Sequence, residues 1–347
     1  MTLVLETVGV EAALDRFFEE RLARARQFGE SHEVLWQRIS AACRGGKLVR
    51  PRLVLLAHTH FGGHDPAAVD VAAAFELLHT ALLVHDDLLD GDLRRRGAPN
   101  LAGEYVADAL ATGVGTDRAA EWSRGSALLA GDLLLSAVHA LIARTATPAT
   151  PALHDIVDEA LEMTAAGEHA DVGFAVGTLS VTPEGIRQMM AHKTAAYSFC
   201  APLRAGALLA GVDDESAVTT LTNIGTQLGV MYQLRDDVLG AFGDEAKTGK
   251  STLGDLREGK ATLLIALAKQ HPGWAGVEHL FGSADLDESG AQLIRAVIVE
   301  SGALDAVEEE INERRAQVGT VIADSGFTSD FQSELETFAD ACVERGA

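Results

Sequence analysis

Five aspartates in two blocks are the residues of this chain best suited to chemistry. The first block, Asp86-Asp87-Leu88-Leu89-Asp90, closes an apolar run and leads into Gly91-Asp92-Leu93-Arg94-Arg95-Arg96-Gly97. Asp86 and Asp90 are four apart, so on a helix they share a face, with Asp87 turned by about 100°. Like charges at that spacing repel, and donors that are all carboxylate oxygens suit Mg²⁺, or alternatively Mn²⁺, between them. The arginines that follow are superfluous for a metal but suit a phosphate-bearing ligand bridged by one. The second block, Gln233-Leu234-Arg235-Asp236-Asp237-Val238-Leu239-Gly240, repeats the idea, with Lys247, Lys250 and Lys260 downstream. One acidic pair on a helix is ordinarily a solvated face. Two such blocks on apolar helices, each followed by basic residues, read as a metal-bridged diphosphate clamp.

The elements that must position these blocks are helices, because apolar residues recur at helical spacing almost throughout and strand signals are sparse. Residues 8–28 read as an amphipathic helix, with Val10, Ala13, Leu14, Phe17 and Phe18 on one side, and a shorter helix runs from about Glu33 to Cys43. Arg44-Gly45-Gly46-Lys47 interrupts, and Pro51 suits the first turn of the next helix. The longest helix is expected over 66–92, where the stripe Val71, Phe75, Leu78, Leu82 runs on into Asp86 and Asp90. His79 falls seven residues before Asp86, on a similar face. Residues 97–124 read as a loop with at most a short helix, residues 125–144 as helix, and Thr145 to Pro151 as a connector. A helix from Ala152 to about Val172 follows, then one opened by Pro183 that passes Lys193 and Thr194 and is kinked or ended by Pro202. Residues 215–242 carry the second block, with Gln233 on the face of Asp236 and Asp237. Gly243 to Gly259 reads as a basic, glycine-rich loop, and helices near 260–270, 288–301, 303–323 and 327–345 complete an all-α chain. Glu308, Glu309, Glu310, Glu313, Arg314 and Arg315 read as a solvated face with local ion pairing.

Composition narrows the function. Hydrophobic residues make up 47% of the 347, ample for a core, and the formal net charge of -23 argues against nucleic acid and anionic membrane surfaces as partners. An anionic substrate then requires local positive charge, from metal ions and gathered Lys and Arg. Cys43, Cys200 and Cys342 show no metal-ligand spacing and read as reduced thiols of a cytoplasmic protein. Met1 to Val10 contains Glu6 and lacks a basic leader, so no signal peptide is expected, and the most apolar run, Val69 to Val84, is broken by Asp70, Glu76 and His79, so no membrane span is expected. Because the motifs spread from residue 45 to 260 and must serve one substrate, residues 1–347 are read as a single domain.

The sequence resembles the polyprenyl synthetases, the trans, head-to-tail isoprenyl diphosphate synthases. The match is carried, in order, by Gly45-Gly46-Lys47-Leu48-Val49-Arg50-Pro51, Glu76-Leu77-Leu78-His79, the first acid block, Leu129-Ala130-Gly131-Asp132, His192-Lys193-Thr194-Ala195, the second block, Phe242-Gly243-Asp244 and Thr248-Gly249-Lys250. The resemblance implies one large helical bundle around a central apolar cavity, a homodimer, and condensation of isopentenyl diphosphate with an allylic diphosphate by metal-assisted ionisation. It implies metal binding by Asp86, Asp90 and Asp236 directly and by Asp87 and Asp237 as secondary or water-mediated ligands. Arg95, Lys193, Lys250 and Lys260 would hold the allylic diphosphate, and Lys47, Arg50, His79 and Arg96 isopentenyl diphosphate. Thr194 and Gln233 would stabilise the cation, and bound pyrophosphate would take the final proton. Two departures stand out: Glu168, where the family usually has Gln and to which no role is assigned, and Gly240, where it has a third aspartate, a loss that Asp244 or a water would compensate. Ala81 and Leu82, five and four residues before Asp86, are not aromatic, and Phe75 forms a candidate floor, which suggests a C20 product, geranylgeranyl diphosphate, with C15 and C25 as alternatives. A class I terpene cyclase would not need Lys47, Arg50 and His79, and a non-catalytic subunit of a heteromeric synthase would be expected to lose first-block aspartates.

Overall fold

The computed structural model describes residues 2–95, 97–243 and 252–344, with side chains described from residue 8. Arg96, Asp244, Lys247 and Lys250 therefore lie outside the described residues. Contacts divide the chain into two compact units, Met1–Ile156 with Pro202–Asp213, and Val157–Ala201 with Asp214–Ala347.

The first unit contains α1 (Thr2–Ala25), α2 (Glu30–Ala42), α3 (Val49–His60), α4 (Ala67–Asp90), a two-stranded ribbon β1 (Arg94–Arg95) and β2 (Ala98–Pro99), α5 (Leu101–Ala111) and α6 (Thr116–Ala143). Its centre is α4, packed on α3 and α6. Phe75, Leu77, Leu78, Leu53, Leu134 and Ile142 are essentially removed from solvent there. Full burial of side chains this size stabilises by about 1.5–3 kcal/mol each. The helix runs one register position off the predicted stripe at its end: Val71, Phe75 and Leu78 are buried, but the buried line continues through Ala81 and Val84 to Asp87, leaving Leu82, Asp86 and Asp90 half-exposed.

The second unit takes most of α7 (Thr150–Ala175), α8 (Pro183–Met190), a π-helical stretch Ala191–Cys200, α10 (Glu215–Phe242), α11 (Gly254–Glu258), α12 (Leu263–Ala268), a 3₁₀ turn Pro272–Gly276, α13 (Glu288–Glu300), α14 (Ala303–Asp324) and α15 (Ser329–Val343). Between the π stretch and α10 lies α9 (Ala201–Leu209), which belongs to the first unit from Pro202 onward. Side-chain caps set several starts: Thr182 accepts from Gly185 N–H to open α8, Asp214 from Ser216 and Ala217 to open α10, and Thr262 from Ile265 to open α12.

Several expectations are corrected. Residues 97–124 are not a loop: Asn100 caps α5 by accepting from Gly103 N–H, and Leu101, Tyr105 and Ala109 bury its inner stripe. Residues 66–92 do not hold the longest helix; α4 has 24 residues, whereas α6 and α10 have 28 each. Pro202 does not end its helix, because the preceding stretch is already in a wider register. Within the expected 243–259 loop, Gly254–Glu258 is helical. Two helices, α4 and α6, do reach the length and apolarity of a membrane span; 72% and 50% of their apolar windows are buried within the fold, so the scattered charges in α4 did not break the helix. Glu308 and Glu310 are not merely solvated: Glu308 forms a two-pronged pair with Arg235 of α10 at 2.7 and 2.8 Å, and Glu310 accepts from Arg187 of α8 and Arg314.

Candidate active site

At the end of α4 the three carboxylates are not equivalent. Asp87, expected to be a secondary or water-mediated ligand, is the buried one at 6% exposure, while Asp86 and Asp90 are half-exposed. The ribbon turns the chain back through Gly97, whose φ of +77° is a left-handed turn conformation. Asn100 donates to Asp92 O at 2.8 Å and braces the same turn. Arg95, paired across the ribbon with Ala98, then reaches back to α4. Its Nε and Nη2 donate to Asp87 Oδ1 at 2.9 and 2.6 Å, and Nη2 donates to Asp86 Oδ2 at 3.4 Å. Burial pushes the Asp87 carboxyl above its ordinary range against the pull of Arg95. Burial alone would lower the Arg95 guanidinium, yet its bond to Asp87 and the surrounding negative charge hold it above its ordinary value.

The other expected residues of this unit lie upstream on α3 and α4. Lys47 is exposed on the loop before α3, and Arg50 and His79 are half-exposed. That loop lies against α4, since a Cβ on Gly46 would come 2.9 Å from Glu76 Oε1, one turn before His79. Leu48 takes the left-handed region at φ +49°, unusual for a leucine, and fixes the direction in which α3 departs. Glu76 thus enters as a residue whose position supports the Gly45–Arg50 loop.

In the second unit the π stretch and α10 meet along a line of small and polar residues. Gly225 lies against Cys200 and Gly229 against Ala195, where a Cβ would collide; four residues on, Thr194 Oγ1 donates to Gln233 Oε1 at 2.8 Å, and Gln233 Nε2 donates to Asp237 Oδ1 at 2.8 Å. Positions 225, 229, 233 and 237 form one helix face, so two glycines set the approach that lets the two polar residues act. Asp237 is 6% exposed and Asp236 half-exposed, the same asymmetry as in the first block. Burial pushes Asp237 up to about 8, with Asp255 and Asp236 adding to the rise and Gln233 and Lys260 opposing it. Lys193 Nζ sits 2.7 Å from Asp171 and 2.8 Å from Glu168, both on α7. Lys193, Gln233, Asp237, Lys260 and Asp171 line one small cavity, and Asp237, Lys260 and Asp255 line a second.

Among the described residues no three Asp, Glu, His or Cys side chains form a closed cation cage. The donor set instead offers one or two carboxylates per block beside basic side chains, which fits a hard cation that completes its shell with phosphate oxygens and water. Sequence reasoning missed Asp171 and Asp255 and left Glu168 unassigned. The spacing Glu168-x-x-Asp171 on one helix face was a usable signal, whereas Asp255 had none.

An all-α fold that presents two Asp-Asp blocks, each with basic residues at hand, defines the isoprenyl diphosphate synthase class. The polyprenyl synthetase family matches residues 32–291. A short chain isoprenyl diphosphate synthase of Methanothermobacter thermautotrophicus is 34% identical over 70% of this chain and 69% of its own. A geranylgeranyl diphosphate synthase of Sulfolobus acidocaldarius is 33% identical over 64% of this chain and 62% of its own. A crystal structure of a geranylgeranyl pyrophosphate synthase of Corynebacterium glutamicum, complexed with isoprenyl diphosphate and magnesium, superposes with a TM-score of 0.90 over 98% of both chains at 26% identity. This chain belongs to the polyprenyl synthetase family, a family of metal-dependent prenyltransferases.

Proposed function

We propose that this protein condenses isopentenyl diphosphate with dimethylallyl, geranyl or farnesyl diphosphate head to tail, giving chiefly geranylgeranyl diphosphate. The observation that carries the reading is the gathering of buried Asp237 with Gln233, Lys193 and Lys260 around one cavity, an arrangement suited to a metal-bridged anion. Arg95, Lys193, Lys250 and Lys260 hold the allylic diphosphate, and Lys47, Arg50, His79 and Arg96 hold isopentenyl diphosphate. Asp86, Asp87, Asp90, Asp236 and Asp237 are the metal ligands. They would hold a divalent cation, Mg²⁺ with Mn²⁺ as a substitute, which would supply charge compensation for the departing diphosphate. Thr194 spends its proton on Gln233, so its hydroxyl oxygen is left electron-rich for a developing allylic cation. Supply of Mg²⁺, labelled isopentenyl diphosphate and each allylic diphosphate in turn, with sizing of the extracted products, tests the reaction; absence of any elongated product would falsify it.

The C20 assignment follows from the wall below Asp86. Ala81 leaves little bulk, Leu82 is half-buried, and Phe75 is fully buried about three turns below Asp86. Leu82→Phe is expected to shift the main product to C15 or shorter, and an unchanged product length would remove Leu82 from the wall.

A homodimer with the whole chain as one functional domain, in the cytoplasm, completes the reading. The outer face of α6 exposes Trp122, Leu128 and Leu129 at 53%, 48% and 56%, with Leu110 of α5 beside them in sequence order, an apolar surface suited to a second copy. Leu129→Glu is expected to sediment as a monomer, and a variant that keeps the wild-type assembly would exclude this face. Cys43, Cys200 and Cys342 are buried and not in disulfides, which suits a reducing compartment.

A further inference from the structure

We infer that Asp255 supplies the third carboxylate of the second acid block, the one that position 240 lacks, and so helps hold the cation-bridged diphosphate; this rests on the synthase reading above. Gly240 follows Asp236 by four residues, as Asp90 follows Asp86. Gly240 is buried, and a Cβ built on it overlaps Asp255 Oδ2, with Asp255 Cγ only 3.1 Å away. The space that a side chain at 240 would fill is therefore taken by a carboxylate delivered from another helix.

That delivery is built, not incidental. Arg295 of α13 donates to Ala241 O at 2.6 Å, to Thr252 O at 3.2 Å and to Thr252 Oγ1 at 2.9 Å, tying the end of α10 to the residues that enter α11. Arg257 Nε donates to Leu286 O at 2.8 Å and pins the far side of α11. Lys260 N–H donates to Asp255 O at 2.9 Å, so the lysine expected at the diphosphate is held to the same residue. Asp255, Asp237 and Lys260 line a cavity of about 10 Å³, room for one water or one ion. In the adjoining cavity, which shares Asp237 and Lys260, the Oδ1 of Asp171 is buried and accepts no hydrogen bond. Asp237 and Asp255 share their cavity with Lys260, and ionising both of these neighbouring carboxylates is costly unless further positive charge joins that lysine. An acid pair that leaves the remaining sites to phosphate oxygens is a donor set that Mg²⁺ accepts.

The experiment is calorimetric titration of Mn²⁺ into the full chain in saturating inorganic pyrophosphate. Asp255→Asn, which keeps the side-chain shape, is expected to weaken Mn²⁺ binding by about tenfold or more with helical circular dichroism unchanged. The double variant Gly240→Asp/Asp255→Ala, which moves the carboxylate from α11 to α10, is expected to bind several-fold more tightly than Asp255→Ala alone. Wild-type affinity in Asp255→Asn, or a double variant no tighter than Asp255→Ala, overturns the assignment. If the wild type makes product while Asp255→Asn binds Mn²⁺ as the wild type does, only the role of Asp255 falls. If the wild type binds no Mn²⁺ with pyrophosphate, the synthase reading falls and this inference with it.

Discussion

Arg95 and Lys193, two of the three described cations placed by sequence at the allylic diphosphate, are each held by carboxylates of the chain itself. Arg95 lies on Asp87 and Asp86, and Lys193 lies between Asp171 and Glu168. In a chain with 51 acidic and 28 basic residues, such pairing keeps the cations in place until an anion exchanges for the carboxylates. Removing one partner then costs more than the contact, because a buried acid is left behind. Lys193→Ala is expected to lower stability by about 3 kcal/mol as well as activity, since Asp171 is 6% exposed. Adding Asp171→Asn to it should return most of the stability and none of the activity, measured by urea unfolding and product formation; if the double variant is no more stable than the single, Asp171 is not the source of the loss. The aspartates themselves were legible from spacing. Their inequality was not, because burial of Asp87 and Asp237 depends on which side of each helix the neighbours cover.

Among the elements, α10 was legible from Glu215 to Phe242, its observed ends, because its apolar spacing is unbroken and Asp214 caps it. The π stretch was not legible, since its wider register leaves no distinct pattern of apolar residues. It nevertheless accounts for Pro202, which was expected to bend or stop the chain. Ala201 N–H already reaches back five residues to Ala196 O, and α9 continues past the proline to Leu209. Helix α5 was masked by its surroundings: Gly, Ala and Thr over 97–124 read as loop, although Asn100 and the 101, 105, 109 spacing mark a capped helix within them. The Gly225 and Gly229 approach is what places Thr194 on Gln233. Gly229→Val is expected to cost about 2–3 kcal/mol through its collision with Ala195 and to lower kcat by loosening the Thr194–Gln233 bond. Unfolding midpoints and turnover measured together check this, and a variant as stable and as active as the wild type would show that the approach is not needed.

For the whole molecule, the buried aspartates make metal-free stability depend on pH in an unusual direction. Folded Asp237 holds its proton up to about pH 8 because of burial, against an ordinary value of 3.8. Between those values the folded chain binds more protons than the unfolded one, so its stability falls as pH rises. The contribution is fully present below about pH 4 and lost as pH passes about 8. In EDTA the unfolding temperature is expected to drop from pH 5 to pH 8, and Asp237→Asn is expected to flatten the drop. An equally steep drop in that variant would assign it to other groups. Divalent metal acts in the opposite sense, because binding needs the ionised carboxylate and releases the proton.

The measurement closest to the central claim follows pyrophosphate release by the purified full chain in Mg²⁺ with an allylic diphosphate alone, with isopentenyl diphosphate alone, and with both. The expected result is sustained release only when both are supplied, matched mole for mole by isopentenyl units found in lengthened product. Equal release from the allylic diphosphate alone would mean that Lys47, Arg50 and His79 serve no second substrate, and would contradict the condensation.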